Sequence, residues 1–213
     1  MSFTTNSLLE YISNNKSLNA IKSHAETNDQ AHDIGHLIRV ALWAIKLNPD
    51  GHIDSTIAAS LLHDIVNLPK NHPDRKHASS FCAIRARCIL IDLMDSNLNI
   101  DDICDAIEDH SYSAGKIPRS DLGKALQDAD RLDAIGVIGM FRHISVSTQL
   151  GTPFYNLNDP WAMNRLVDDT KYALDHYNIK LFRIKDTMNT EGGKIEAEIR
   201  TVRMQNYLRE LEI

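Results

Sequence analysis

Apolar residues recur at intervals of three and four along nearly the whole chain, while the β-branched alternation that announces strands is almost missing. That spacing predicts a mostly α-helical fold, because only a helix gathers such positions onto one face. Leu37, Val40, Ala41, Ala44 and Ile45 place a helix over about 33–47, which Asn48-Pro49-Asp50-Gly51 must end. A second helix follows, with Asp54 or Ser55 as its N-cap and Ile57, Ala58, Leu61, Leu62 and Ile65 as its buried stripe. A third is expected over about 77–94 with Phe81, Ile84, Cys88 and Ile91 turned to the core, and a fourth over 101–110 behind an Asp cap. A fifth, over about 121–145, carries Gly136 and Gly139 three apart, which suits close helix contact and a central position. Two amphipathic helices over 161–177 and 195–211 complete the reading, with loops near 69–74, 111–120 and 151–160. No internal repeat interrupts it. The expectation is one all-α domain over 1–213, with a helical core over about 20–150 and C-terminal helices over about 160–213.

Composition narrows the classes. The chain has 213 residues, 43% of them apolar, enough for a substantial core. Its 23 Lys+Arg against 29 Asp+Glu give a net charge of −6, which argues against a broad nucleic-acid-binding face but leaves room for small anionic substrates. Cys82, Cys88 and Cys104 are odd in number and form no CxxC, so neither a disulfide framework nor a zinc cage is expected. Residues 1–16 lack a basic segment followed by an apolar one, and no apolar run approaches the ~18 residues of a membrane span. We therefore expect a cytoplasmic protein with no membrane or nucleic-acid-polymer partner, homo-oligomer formation being left open.

Ten histidines invite a metal hypothesis, and position must decide among them. His36 shares a helix face with Val40 and Ala44. His63-Asp64 closes an apolar helix, where two neighbouring side chains can converge. Asp130 stands in a helical column with Ala134, Val137 and Phe141, and Asp133 has nearly the same bearing, whereas Asp128 points elsewhere toward solvent. A core-facing carboxylate needs a cation or strong donors, so Asp130 either pairs with Arg131 or Arg39 or joins a ligand set. Two imidazoles and two carboxylates suit a borderline divalent metal, with further positions left to water and substrate.

His36, His63-Asp64 and the Asp of Ala129-Asp130-Arg131-Leu132 together resemble the H…HD…D signature of HD-domain metal-dependent phosphohydrolases. A small bacterial branch of that superfamily is similar in further segments: 31–36 around His32 and His36, 61–71 around the doublet, Asp109-His110-Ser111-Tyr112-Ser113, 127–136, and Met188-Asn189-Thr190. The resemblance implies an all-α HD-domain helical bundle in which His36, His63, Asp64 and Asp130 bind one divalent metal (Mn, Mg, Fe, Co, Ni or Zn). It also selects Asp130, before the basic residue, over Asp128 and Asp133. Asn67 and Leu68 stand where some HD enzymes carry a Glu-Asp pair, so another group, or hydroxide at the metal, must act as base.

The implied function is hydrolysis of a phosphoester or phosphoanhydride bond in a small phosphorylated substrate, with a nucleotide as the expected class. Asp64 and His110 are the expected catalytic groups, His110 as general acid. Lys70, Arg75 and Arg131 are the expected phosphate contacts. His32 and Asp133 are expected to support the ligands from behind. His52, His72, His77, His143 and His176 read as surface or structural. The alternatives are a nucleotide-binding sensor without turnover, or an HD-fold di-iron oxygenase in which His32 and His110 add ligands.

Overall fold

A computed structural model describes residues 3–25, 33–66, 68, 72–211 and 213, with the side chain of Ser113 left out. Among the described residues there are ten α-helices and no strand, as the periodicity predicts. They fall into two compact units, 1–130 and 131–213.

The first unit begins with α1 (Thr5–Asn14) and α2 (Lys16–Ala25), which precede the region singled out from the sequence. Thr4 and Ser7 form a reciprocal capping box on α1, and Leu8, Ile12, Leu18 and Ile21 are fully buried. Helix α3 (Ile34–Leu47) is capped by Asp33, whose carboxylate accepts from the His36 N–H at 2.8 Å. Its stripe of Leu37, Val40, Ala41, Ala44 and Ile45 is buried as expected.

Helix α4 (Ile53–Leu62) is capped by His52, whose Nδ1 accepts from the Ser55 N–H, so neither Asp54 nor Ser55 holds that place. Every residue from Ser55 to Leu62 is buried. A helix apolar on all sides belongs inside, and α4 rather than the expected fifth helix is the central one of this unit. Its one mid-helix hydroxyl, Ser60 Oγ, is satisfied by the Thr56 carbonyl at 2.8 Å.

Helix α5 (Ala78–Leu93) reverses the expected facing. Phe81, Ile84, Cys88 and Ile91 are exposed, whereas Ser79, Cys82, Ala83, Ala86, Ile89 and Leu90 are buried. Both rows have helical spacing. The buried row is the one richer in small residues, and α5 packs against its neighbour, α6 (Ile100–Asp109). Asn99, not an Asp, caps α6 by accepting from the Asp102 N–H.

Helix α7 (Asp121–Asp133) seats Leu122, Leu126 and Ala129 in the first unit's core, and the boundary between units lies between Asp130 and Arg131. The expected fifth helix ends there. Ile135 is extended and Gly136 has φ +74°, which starts a separate helix, α8 (Gly136–Gln149). The column running from Asp130 to Val137 and Phe141 therefore does not exist, and both of those residues are exposed. Gly139 permits the break: a Cβ there would lie 2.3 Å from the Ala134 carbonyl oxygen. Gly139→Ala should lower stability by about 1–3 kcal/mol, the usual cost of overpacking, as measured by urea unfolding.

The expected helix over 161–177 is absent. Asp159 accepts from the Met163 and Asn164 N–H groups, and Ala162 adopts φ +52°, so side-chain bonds replace the helical ladder. Only α9 (Asp175–Ile179) is helical, followed by a 3-10 segment at Leu181–Thr187. Helix α10 (Glu191–Arg209) is capped by Thr190, packs on α8 and buries Gly193, Ala197, Thr201, Met204 and Leu208. No described helix is long and apolar enough to cross a membrane.

Candidate metal centre

His36, His63, Asp64 and Asp130, far apart along the chain, meet within the first unit. His36 occupies the third position of α3, so the Asp33 cap that starts the helix also sets the histidine's backbone. His63 is the C-cap residue of α4, and Asp64 follows as the chain leaves the helix. Asp130 lies on α7, one residue beyond the buried Ala129.

The two imidazoles face each other with their Nε2 atoms 3.3 Å apart. Asp64 Oδ2 lies 3.6 Å from His36 Nε2 and 3.5 Å from His63 Nε2, and Asp130 Oδ1 lies 3.7 and 3.8 Å from the same atoms. Donor atoms held about 2.1 Å from one ion stand roughly 3.0–3.5 Å apart in octahedral or tetrahedral arrangements, so these spacings fit a shared cation after slight contraction. Both imidazoles are fully buried, whereas each carboxylate retains 25% of its side-chain exposure, leaving one side open to solvent.

Tautomers sharpen the point. His63 Nδ1 lies 2.8 Å from the Ser60 carbonyl, which only accepts, so Nδ1 carries the hydrogen and the neutral ring turns the Nε2 lone pair inward. That lone pair faces two carboxylate oxygens. Such a gathering of acceptors requires positive charge, from a metal ion or from a proton. Without metal the proton takes the place: burial opposes charge on His63, yet Asp64 and Asp130 outweigh it and push its pKa up to about 9. Burial likewise favours the neutral Asp64 and Asp130, but His63 beside them holds both carboxyls well below the usual range. The donor set thus fits a borderline divalent metal in chemistry, spacing and tautomer.

His110, the C-cap residue of α6, adds a third imidazole. Its Nδ1 donates to the Ile107 carbonyl at 2.6 Å, and its Nε2 lies 3.6 Å from Asp64 Oδ1, the oxygen not facing His36. The same device therefore aims His63 and His110: a histidine ending a helix folds back onto the carbonyl three residues earlier. Neither carbonyl was singled out from the sequence, although a histidine directly after an apolar helix is the signal for it. Gln127 was also missed as a support. Its buried amide donates to the Asp109 and Lys116 carbonyls and pins the loop that follows His110.

The other expected site residues fall elsewhere. Lys70 and His32 lie outside the described residues, as does Asn67. Arg75 is half-buried, with its guanidinium donating to the Leu68 carbonyl in the segment after the doublet. In the second unit, the Arg131 guanidinium is buried and donates to the Thr187 carbonyl. Asp133 accepts from Arg142 at 2.9 Å. Asp128, expected toward solvent, is fully buried. Of the histidines read as surface or structural, His143 and His176 stack with ring centroids 4.7 Å apart, and His176 Nδ1 meets Asp169.

Helices that bring a histidine, a His-Asp doublet and a distant aspartate to one point define a class. Residues 33–135 match the family model of the HD domain. Over 198 residues it is 29% identical to the Bacillus subtilis protein YpgQ, covering 90% of this chain and 88% of that one. The crystal structure of YpgQ in complex with ADP superposes with a TM-score of 0.69 at 28% identity, over 92% of this chain and 94% of that one. An HD-superfamily hydrolase from Bacillus thuringiensis gives a TM-score of 0.67 at 27% identity, covering 97% and 96% of the two chains.

Proposed function

We propose that this protein is a metal-dependent phosphohydrolase cleaving a phosphoester or phosphoanhydride bond in a small phosphorylated molecule, of which nucleotides are the favoured class. The observation that carries the reading is the convergence of the His36 and His63 Nε2 atoms with Asp64 and Asp130 oxygens at 3.3–3.8 Å. In this reading those four residues hold one divalent ion. The half-open carboxylate side is where substrate and water arrive. When bound, such an ion supplies a water acidified toward a pKa of ~7 and a Lewis acid for a phosphoryl oxygen.

The chain's own groups do the rest. His110 presents Nε2 at the rim of the centre, and in its imidazolium form it gives the Nε2 proton to the leaving oxygen, ending as the neutral ring with Nδ1–H still on the Ile107 carbonyl. Arg75 places positive charge beside the segment after the doublet, where charge gathering on phosphoryl oxygens is stabilised, and Lys70, which belongs to that segment in the sequence, is the second proposed phosphate contact. The ADP held by YpgQ supports a nucleotide as the substrate class.

A second reading, with two ions, is favoured by one feature: His63, Asp64 and His110 form a further triad of convergent ligand atoms, which shares His63 with the first group, and Asp64 turns its second oxygen toward His110. Metal analysis of the purified protein, joined to phosphate- and pyrophosphate-release assays over nucleoside mono-, di- and triphosphates, tests both. About one equivalent of divalent metal and release that stops on chelation and returns with added metal are expected. Two irons with an oxygen-dependent reaction would favour the oxygenase instead. Nucleotide binding without release from any substrate would leave only the sensor.

A further inference from the structure

The second unit contains a cavity of about 340 Å³, a size typical of small-molecule sites. Trp161, Tyr177 and Phe182 line it, along with the carboxamides of Asn178 and Gln205 and the side chain of Arg209. The Trp161 indole N–H donates to the Ile213 main-chain oxygen at 3.0 Å, which orients that ring, and the Tyr177 and Phe182 centroids are 5.8 Å apart. Asp175 also borders the cavity. Its carboxylate is already occupied by both Arg165 Nη atoms and the Asp168 N–H, so it offers no free charge there.

Tyr177 is the telling residue. It is only 1% exposed, yet its hydroxyl makes no hydrogen bond to any described residue. Tyr177 is one of the residues that line the cavity. Burial alone pushes its pKa up to about 12, which keeps it a neutral donor. A phenol with no hydrogen-bond partner among the described residues is available to a polar ligand atom in the cavity it lines.

We propose that this cavity binds a planar nitrogen heterocycle of the nucleobase type, stacked on its aromatic walls and read at its edge by the Tyr177 hydroxyl and the Asn178 and Gln205 carboxamides. Aromatic walls favour a flat π-system. Carboxamides present a donor beside an acceptor, the pattern that matches a heterocycle's edge. Arg209, at the exposed rim, is a donor for an oxygen substituent on the ring or its attached sugar. The site is built wholly within 131–213 and is independent of the hydrolase reading.

Adenosine, which carries no phosphate, is the probe. The chain has two tryptophans, so Trp43→Phe leaves Trp161 as the sole indole reporter in the full-length protein. Saturable quenching of its emission by adenosine is expected, with affinity lowered about 3–10-fold by Tyr177→Phe and by Gln205→Leu. Calorimetry on the unsubstituted tryptophan background provides the same comparison should Trp43→Phe fold poorly. Tyr177→Phe breaks no hydrogen bond in the free protein, so its melting temperature should match its parent's. Absence of saturable binding, or an affinity unchanged in Tyr177→Phe, overturns the site. Naphthalene, an aromatic with no ring nitrogen, binding more tightly than adenosine overturns the assigned ligand class.

Discussion

Asp64→Asn and Asp130→Asn should each leave the purified protein with little bound divalent metal and lower phosphate release by at least about 100-fold. The magnitude follows from comparison: losing a group that merely orients a metal ligand costs 10–100-fold, and losing the charged ligand itself costs more. Asparagine keeps the volume and one oxygen, so the effect reports charge rather than shape. The fold should survive, because each substitution relieves the mutual repulsion of Asp64 and Asp130 while the other carboxylate still faces His63. Metal content by mass spectrometry, with circular dichroism as the control for folding, decides the matter. Wild-type metal content in both variants would mean that these carboxylates do not hold the ion.

A larger effect on stability is expected far along the chain, at Arg165→Met. Asp175 is 2% exposed and accepts from Arg165 Nη1 at 2.5 Å and Nη2 at 2.7 Å. Methionine retains the apolar stem but leaves the buried carboxylate with the Asp168 N–H as its remaining recorded donor. Removing one partner leaves the withdrawn carboxylate without its counter-charge, and the melting temperature should fall clearly. The pH dependence has a definite sign. The Arg165 hydrogen bonds, opposed by burial, hold the Asp175 carboxyl below its ordinary value of 3.8. Its stabilising contribution is therefore present above that value and lost as pH falls through the lower folded-state pKa. The gap between wild type and variant should be widest near neutral pH and should narrow in acid. A constant gap from pH 7 to pH 3 in denaturant titrations would exclude the ion pair as its source.

The two largest misreadings of the fold share one origin. Phe81, Ile84, Cys88 and Ile91 have faultless helical spacing, and so do Cys82, Ala86, Ile89 and Leu90. Spacing identifies a helix with two apolar faces and is silent on which one turns inward. That choice went to the smaller residues. Likewise nothing periodic marks the end of α7. The break depends on Gly136 reaching φ +74° and on Gly139 lying against the Ala134 carbonyl, both of which are relations between the glycines and their surroundings. Asp130 accordingly reached its place for a reason other than the column first assigned to it. It follows buried Ala129 on α7, and its carboxylate meets the histidines of α3 and α4.

Local pattern was sufficient for the all-α class, for the buried face of α3, and for naming the two histidines and two aspartates that meet. Each of these depends on residues within a few turns of one another or on a recognisable motif. The aim of the imidazoles was decided elsewhere: Ser60 and Ile107 offer carbonyls to His63 and His110 only because the helices end where they do. The irregular path from 150 to 174 was likewise decided by side chains bonding to backbone across several residues. Periodicity records which surfaces avoid water. The partner that each surface or polar group finds depends on distances that exist only once the chain has folded.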